Sequence, residues 1–334
     1  MSSPLVSVLM PVYNASAYVK EAIESILNQS YQNFEFVIIN DGSTDSSEEV
    51  VLSVKNEKIK YHKNETNLGL IKTLNKGIDL CKGEYIVRMD ADDISLPERI
   101  KKQVEFMEAN KGVGVCGSDH IHFGKGKQIA HSSHHTHDLI SGWMLFNSSV
   151  VHPALIIRTS ILKTETPYFN SEFKHVEDYE LWSRLIFKSK FADVPETLLK
   201  YRIHASQVSR QYRAEQIENG NKVRKNLLEK AGFKFTDNQL RVHCLLGSSQ
   251  IIKSVKDLDA LSVWFDELFE QNKKIKFINE TTLQSILAKQ WYDACGITNL
   301  GPKAYFYYFK SHWSNHYAGS RSRLLSKCVI RWVR

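Results

Sequence analysis

The sequence predicts an α/β fold: a mostly parallel central sheet flanked by helices, followed by a helical C-terminal region. Three observations predict it. From Val6 to Cys116, short apolar runs alternate with segments of helical periodicity. The apolar runs end in polar turn residues such as Asn40-Asp41-Gly42 and Asp90-Ala91-Asp92-Asp93. From Ala214 onward the periodicity is mostly helical. Repeated strand–helix units imply parallel strands joined by right-handed crossovers, with helices on both faces.

The elements follow in order. Val6–Met10 is an apolar run closed by Pro11 and reads as a buried strand. Ala17–Ser30 carries Val19, Ala22, Ile23, Ile26 and Leu27 at helical spacing. Phe34–Ile39 is a second strand, and Ser46–Val54 a short helix with Asp45 or Ser46 as cap. Ile59–His62 is a third strand, and Leu70–Leu80 a helix stopped by Gly83. Tyr85–Met89 is a fourth strand. A further helix is expected to start at Ser95–Pro97, from a cap residue and a proline in its first turn. Val113–Cys116 is a fifth strand. Residues 119–137, rich in Gly, Ser and His, read as a surface loop. Val151–Arg158 reads as a strand and Asp178–Ser189 as a helix. A domain boundary is expected near 210, giving an α/β domain over 1–210 and a helical region over 211–334.

Composition narrows the class. The 334 residues are long enough for one large or two ordinary domains with a sizeable core. With 42% hydrophobic and 24% charged residues, wholesale disorder is excluded. No apolar run approaches the ~20 residues of a membrane span, and no secretory signal is read at the N-terminus, so the cytoplasm is the expected location. Five scattered cysteines without a CxxC pair suggest neither a disulfide framework nor a cysteine metal site. The net charge of +7 lies wholly in residues 303–334, which hold seven cations and no acid. The rest of the chain balances 37 basic against 37 acidic residues, which argues against a nucleic-acid partner.

In an open parallel sheet, ligands gather at the carboxyl ends of the strands. Three polar turns belong there: Pro11-Val12-Tyr13-Asn14, Asn40 to Asp45, and Asp90 to Asp93. Three carboxylates within four residues repel one another unless a cation joins them, and oxygen donors of this kind suit Mg²⁺ or Mn²⁺ shared with substrate phosphates. The competing reading is a solvated acidic turn. Asp41 closes a strand where a turn has no need of it, and a carboxylate there can accept from a base or ribose. No GxGxxG or GxxxxGK[ST] is present, which removes the main support for dinucleotide and P-loop readings.

These motifs resemble family 2 glycosyltransferases of the GT-A, Rossmann-like fold. The residues that carry the resemblance run in order over about residues 4–210. They are Val8 to Asn14, Ser25 to Tyr31, Asn40 to Asp45, Asn67-Leu68-Gly69, Gly83-Glu84-Tyr85, Asp90 to Asp93, Glu177-Asp178 with Leu181-Trp182, and Tyr201-Arg202-Ile203-His204. The resemblance implies a nucleotide-sugar donor, with UDP as the expected nucleotide. Asp41 would match the base-binding aspartate, Pro11 and Tyr13 would line the nucleoside pocket, and Asn67 and Lys72 would flank it. Asp90 would lie near ribose and metal, and Asp92 would bind the metal that bridges to the diphosphate, Mn²⁺ or Mg²⁺. Asp178 would be the general base. His204 is a candidate second metal ligand, with a diphosphate contact or a structural role as alternatives.

The implied reaction is inverting transfer of one sugar to a glycan or lipid-linked oligosaccharide acceptor in surface polysaccharide synthesis. Processive relatives carry QxxRW and membrane helices; here Cys328 stands where the Gln would precede Arg331-Trp332, so single addition is expected. A sugar-nucleotide pyrophosphorylase would want a Gly-rich basic loop where Pro11–Asn14 stands. A nucleotide-sugar-binding protein without catalysis would not need Asp92 and Asp178. His131, His134, His135 and His137 lie in a polar stretch without a helical frame, and read as solvated or bordering the acceptor rather than as a zinc site. The tail over 303–334 mixes cations with aromatics, and two readings stand: an anionic membrane interface, or aromatics packed on the core with solvated cations outside.

Overall fold

The computed structural model describes residues 3–124, 128–133, 135–204 and 212–333, the side chains of 331–333 excepted. In chain order the elements are β1 (Val6–Val12), α1 (Val19–Leu27), β2 (Phe34–Asn40), α2 (Ser47–Ser53), β3 (Ile59–Lys63), α3 (Leu70–Leu80), β4 (Tyr85–Arg88), β5 (Ile94–Ser95), α4 (Arg99–Ala109), β6 (Val113–Gly124), β7 (Ile129–His131), α5 (His137–Met144), β8 (Ile156–Arg158), α6 (Thr159–Leu162), α7 (Glu177–Leu185) and β9 (Lys190–Ile203). The helices α8 (Arg213–Ala231), α9 (Asp237–Gly247), α10 (Val255–Ile275), α11 (Glu280–Gly296), α12 (Pro302–Tyr308) and α13 (Arg321–Val333) follow. The described chain divides into two compact units, Met1–His137 with Ser149–Gln216, and Asp138–Ser148 with Ile217–Arg334.

The first unit holds a nine-stranded sheet in the order β3-β2-β1-β4-β8-β6-β9-β5, with β7 paired to β6. β1 to β4 are mutually parallel; β8 opposes β4 and β6, and β9 runs with β6. Six strands therefore share one direction, and β5, β7 and β8 oppose it. β1 and β2 are buried along almost their whole length, because both faces are covered. Val8, Met10, Phe36 and Ile38 meet α1 and α4 in one core. The alternate residues face α3: a Cβ on Gly77 would come within 2.3 Å of Leu9 Cδ1 and 3.0 Å of Ile39 Cδ1. Only glycine lets α3 approach this closely.

Three sequence expectations change. The helix expected from Ser95 begins at Arg99, because Ser95 pairs with Leu199 in β5 instead of capping. The buried Gln29 makes the junction: its Nε2 donates to Leu96 O at 2.8 Å, and its Oε1 accepts Ile100 N–H at 3.0 Å. The strand expected over Val151–Arg158 is a 3-10 turn at His152–Ala154 and then β8, since Pro153 cannot donate to a ladder. The loop expected over 119–137 is largely a hairpin, with His120 opposite His131 and His122 opposite Ile129. Histidines at alternating positions read as polar in the sequence, yet His120 is only 8% exposed.

The second unit is helical. Asp138–Ser148 belongs to it through two buried side chains. Arg224 donates from Nη2 to Gly247 O at 2.7 Å and from Nε to Phe146 O at 2.5 Å. His243 donates from Nε2 to Leu145 O at 2.7 Å and accepts from Trp264 Nε1 at 3.2 Å. A linear boundary near 210 does not describe this exchange. In the tail, Trp313 is buried against Phe265 and Phe269, and Leu324 and Cys328 are buried one helical turn apart. Arg334 and the side chains of Arg331 and Trp332 lie outside the described residues. Among those residues no helix is long and apolar enough to cross a membrane.

Candidate active site

The turns after β1 and β2 are stitched together by side chain–backbone bonds. Asn14, at φ +47°, accepts from Thr44 N at 2.9 Å, and Ser43 Oγ accepts from Asn14 N at 3.1 Å. Asp45 accepts from Ser16 N and Ser47 N, at 3.1 and 3.0 Å. Desolvation works to raise the Asp45 pKa, but the bonds from Ser47 and Ser16 outweigh it and hold the carboxylate at about 2. Ser46, the other expected cap, is the N-cap residue of α2 and its side chain makes no capping bond, while Asp45 holds the helix start from one residue before.

Asp41, only 3% exposed, organises the chain over 64–69. Its Oδ1 accepts Asn64 Nδ2 at 2.8 Å and Leu68 N at 2.9 Å, and its Oδ2 accepts Gly69 N at 3.0 Å. Gly42, at φ +67°, lets this segment pass: a Cβ there would fall 2.6 Å from Thr66 C and 2.7 Å from Asn67 N. Asn67 is exposed beside it, with Oδ1 accepting from Gly69 N at 2.8 Å. Pro11 is half-buried in β1 opposite Ile39, and Tyr13 is 48% exposed. Lys72 is exposed on α3.

The turn after β4 gathers the charge. Asp90, Asp92 and Asp93 each offer an oxygen, all within 4.8 Å of one another. Asp93 is buried; its Oδ1 accepts from Arg202 N at 2.8 Å, while its Oδ2 is buried without a partner. Burial, and then the charges of Asp90 and Asp92, push the Asp93 carboxyl well above the usual range. Asp90 is raised by burial, against its ion pair with Arg88. Crowded carboxylates with an orphaned oxygen fit a hard divalent cation, which supplies the missing positive charge.

β9 closes the turn from the other side. His204 Nε2 lies 2.8 Å from Asp92 Oδ2, and Arg202 Nε donates to Asp92 O at 2.6 Å. Beneath, the buried Arg99 donates to Arg88 O and Leu155 O at 3.0 and 3.2 Å. Asp178 sits in the first turn of α7, where its Oδ1 accepts from Tyr179 N at 2.7 Å. Burial raises its pKa, and the charges of Arg88 and Asp90 reach it. Burial and Asp178 together push the neighbouring Glu177 up to about 7. His175, two residues before Glu177, holds φ +66° and stacks on Tyr212 with ring centroids 4.1 Å apart.

The structure thus joins Asp90, Asp92 and His204 in one cluster with Asp178 in its field, and joins Asp41 with the segment carrying Asn67. Among the described residues, no hydrogen bond ties Tyr13 or Lys72 to either group. Sequence reasoning missed Arg88 and Arg99, and it placed Glu177 and Arg202 in motifs without giving either a role. Arg88 left a signal, a charge at the end of an apolar strand. Arg99 left none, since it looks like any helix-surface arginine.

A mostly parallel sheet with an acidic turn at its strand ends is the architecture of the GT-A fold. The chain belongs to glycosyl transferase family 2, whose model matches residues 7–179. A glycosyltransferase of Haemophilus influenzae is 34% identical over 312 residues, covering 83% of this chain and 96% of its own. Residues 1–349 of S. aureus TarS, in complex with UDP-GlcNAc, match with a TM-score of 0.61 at 18% identity, over 94% of this chain and 93% of that one. A longer TarS chain is covered over 52% of its length. A mannosyltransferase from Pyrobaculum calidifontis in complex with GDP-Man and Mn²⁺ matches at 0.57 and 12% identity, over 100% of this chain and 88% of that one. At these identities the two structures share the fold with this chain.

Proposed function

We propose that the chain is an inverting, divalent-metal-dependent transferase of a single hexosyl or N-acetylhexosaminyl group. Its donor is a nucleotide-sugar, of which a UDP-sugar is the first choice. Its acceptor is a glycan or lipid-linked oligosaccharide in surface polysaccharide synthesis of the O-antigen or capsule kind. The observation that carries this reading is the cluster of Asp90, Asp92 and Asp93, with the orphaned oxygen on Asp93 and Asp178 within its electrostatic reach.

In this reading Asp90 and Asp92 hold Mn²⁺ or Mg²⁺, with His204 against Asp92. Bound there, the ion supplies positive charge to the departing diphosphate. Asp41, Pro11 and Tyr13 bind the nucleoside, flanked by Asn67 and Lys72. Asp178 takes the proton of the acceptor hydroxyl as that oxygen attacks the anomeric carbon opposite the diphosphate. The bond from that carbon to the diphosphate oxygen breaks, its electron pair leaves with the nucleoside diphosphate, and the anomeric configuration inverts.

The acceptor is met at an anionic membrane face, through residues 303–334. Phe306 is 67% and Ile330 51% exposed, and Phe309 lies under Arg321 with the guanidinium 5.3 Å from its ring. Apolar side chains among cations suit a charged lipid interface.

Calorimetric titration with UDP and then other nucleoside diphosphates, with and without Mn²⁺, tests the donor site. Metal-dependent binding of one nucleotide is expected. No binding by any of them to folded protein, metal present, overturns the reading.

A further inference from the structure

The hairpin of β6 and β7 carries a second cluster with different chemistry. His120 and His122 stand two residues apart on β6, on one face of the strand, and His131 is the cross-strand partner of His120. Each offers a ring nitrogen, and these nitrogens all lie within 4.8 Å of one another. The centroids of His122 and His131 are 3.9 Å apart, and His120 lies 5.1 Å from each. His120 Nδ1 and His131 Nε2 are buried without a hydrogen-bond partner, and His120 is 8% exposed. Two orphaned nitrogens in one cluster are costly unless something accepts their lone pairs.

We propose that His120, His122 and His131 bind one divalent transition ion of the zinc class, separate from the carboxylate site. An all-imidazole donor set selects Zn²⁺, Ni²⁺, Co²⁺ or Cu²⁺ over Mg²⁺ and Mn²⁺, which prefer oxygen. Zinc–nitrogen bonds of about 2.0–2.1 Å set the donors about 3.4 Å apart in a tetrahedron, so modest ring rotations close the site. The ion clamps the edge strand β7, whose Ile129 is 55% exposed, onto β6. Tyr201 of β9 lies 5.3 Å from His122, and the next residue, Arg202, donates its N–H to Asp93. The clamp thus stiffens the strand that closes the acidic turn.

The test uses the full chain, stripped with chelator and titrated with Zn²⁺ in excess Mg²⁺. One equivalent is expected to bind, with affinity lowered about 100-fold or more in His122→Gln and His131→Gln, and unchanged in Asp92→Ala. Equal affinity in wild type and both histidine variants, loss in Asp92→Ala alone, or no binding to folded wild type overturns the proposal. If the variants do not fold, wild type loaded with Co²⁺ decides: visible bands of nitrogen-ligated, low-coordinate cobalt support the site, and the spectrum of the hexaaqua ion overturns it.

Discussion

His204 Nε2 lies 2.8 Å from Asp92 Oδ2, joining the end of β9 to the turn after β4 across 112 residues of sequence. The contact gives the two residues different weight. Asp92 offers an oxygen to the cluster, and in the proposed site His204 acts through that carboxylate. Asp92→Ala should abolish Mn²⁺-dependent binding of the nucleoside diphosphate. His204→Ala should weaken it by about 10- to 100-fold, as loss of an orienting partner does. Calorimetry at saturating Mn²⁺ reads both, and equal losses would make His204 a ligand in its own right.

Asp178 carries the proton in the proposed transfer, and its pKa is raised by burial. A base must be ionised to act. Raising its pKa therefore moves the acid limb of kcat/KM above the ordinary aspartate range near 4. Asp178→Asn should lower transfer by about 10²–10⁴-fold while leaving donor binding intact. Transfer at the wild-type rate by this variant would remove Asp178 from the chemistry.

The acidic turn was legible because strand ends collect ligand groups and Asp90 to Asp93 followed a clear apolar run. The supports of that turn were harder to read. Arg202 and His204 reach it from β9, more than 100 residues along the chain, and the pairing of β9 with β5 and β6 brings them there. Gln29 belongs to a motif that suggested function, yet it ties α1 to the start of α4. The β6–β7 hairpin was misread because burial of histidine inverts the usual polar-out alternation. The membership of Asp138–Ser148 depends on Arg224 and His243, which are distant in sequence and carry no local pattern.

Gly42 should be irreplaceable for the segment that Asp41 organises. An alanine there meets a positive φ and the backbone of Thr66 and Asn67 together. Gly42→Ala should cost about 1–3 kcal/mol and displace Asn67, with weaker nucleotide binding. Gly112→Ala is the control, since its Cβ would meet nothing within 4 Å and its φ is not in the left-handed region. That change should fall within about 0.5 kcal/mol of wild type in thermal melts.

His243 predicts a pH dependence for the helical unit. Burial holds its pKa at about 4, below the roughly 6.5 of an unfolded histidine. Between those values the unfolded chain binds the proton and the folded chain does not. Its contribution is therefore full above about pH 6.5 and is lost as pH falls toward 4, by about 3 kcal/mol in all. Amide exchange of α9 and α10 should accelerate over that window. In His243→Gln the unit should be weaker at pH 7 and the added acid sensitivity smaller; an unchanged slope would show that other groups set it.

The tail divides its large apolar side chains between the core and the surface. Trp313 and Tyr308 are buried, so their replacement should cost stability, whereas Phe306 and Ile330 are exposed and their replacement should not. Lys310 and Arg321 lie over the rings of Tyr307 and Phe309, 4.9 and 5.3 Å from the centroids. Near anionic lipid each cation contributes about 1 kcal/mol. Reversing both, Lys310→Glu with Arg321→Glu, should therefore lower binding to phosphatidylserine vesicles by more than about 10-fold while leaving the melting temperature close to wild type. Phe306→Ser with Ile330→Ser should weaken the same binding without changing its salt dependence. Co-sedimentation at rising salt separates the two, since only the charge term is screened. Binding to neither kind of vesicle would overturn the membrane reading, and equal binding to neutral and anionic vesicles would remove the cations from it.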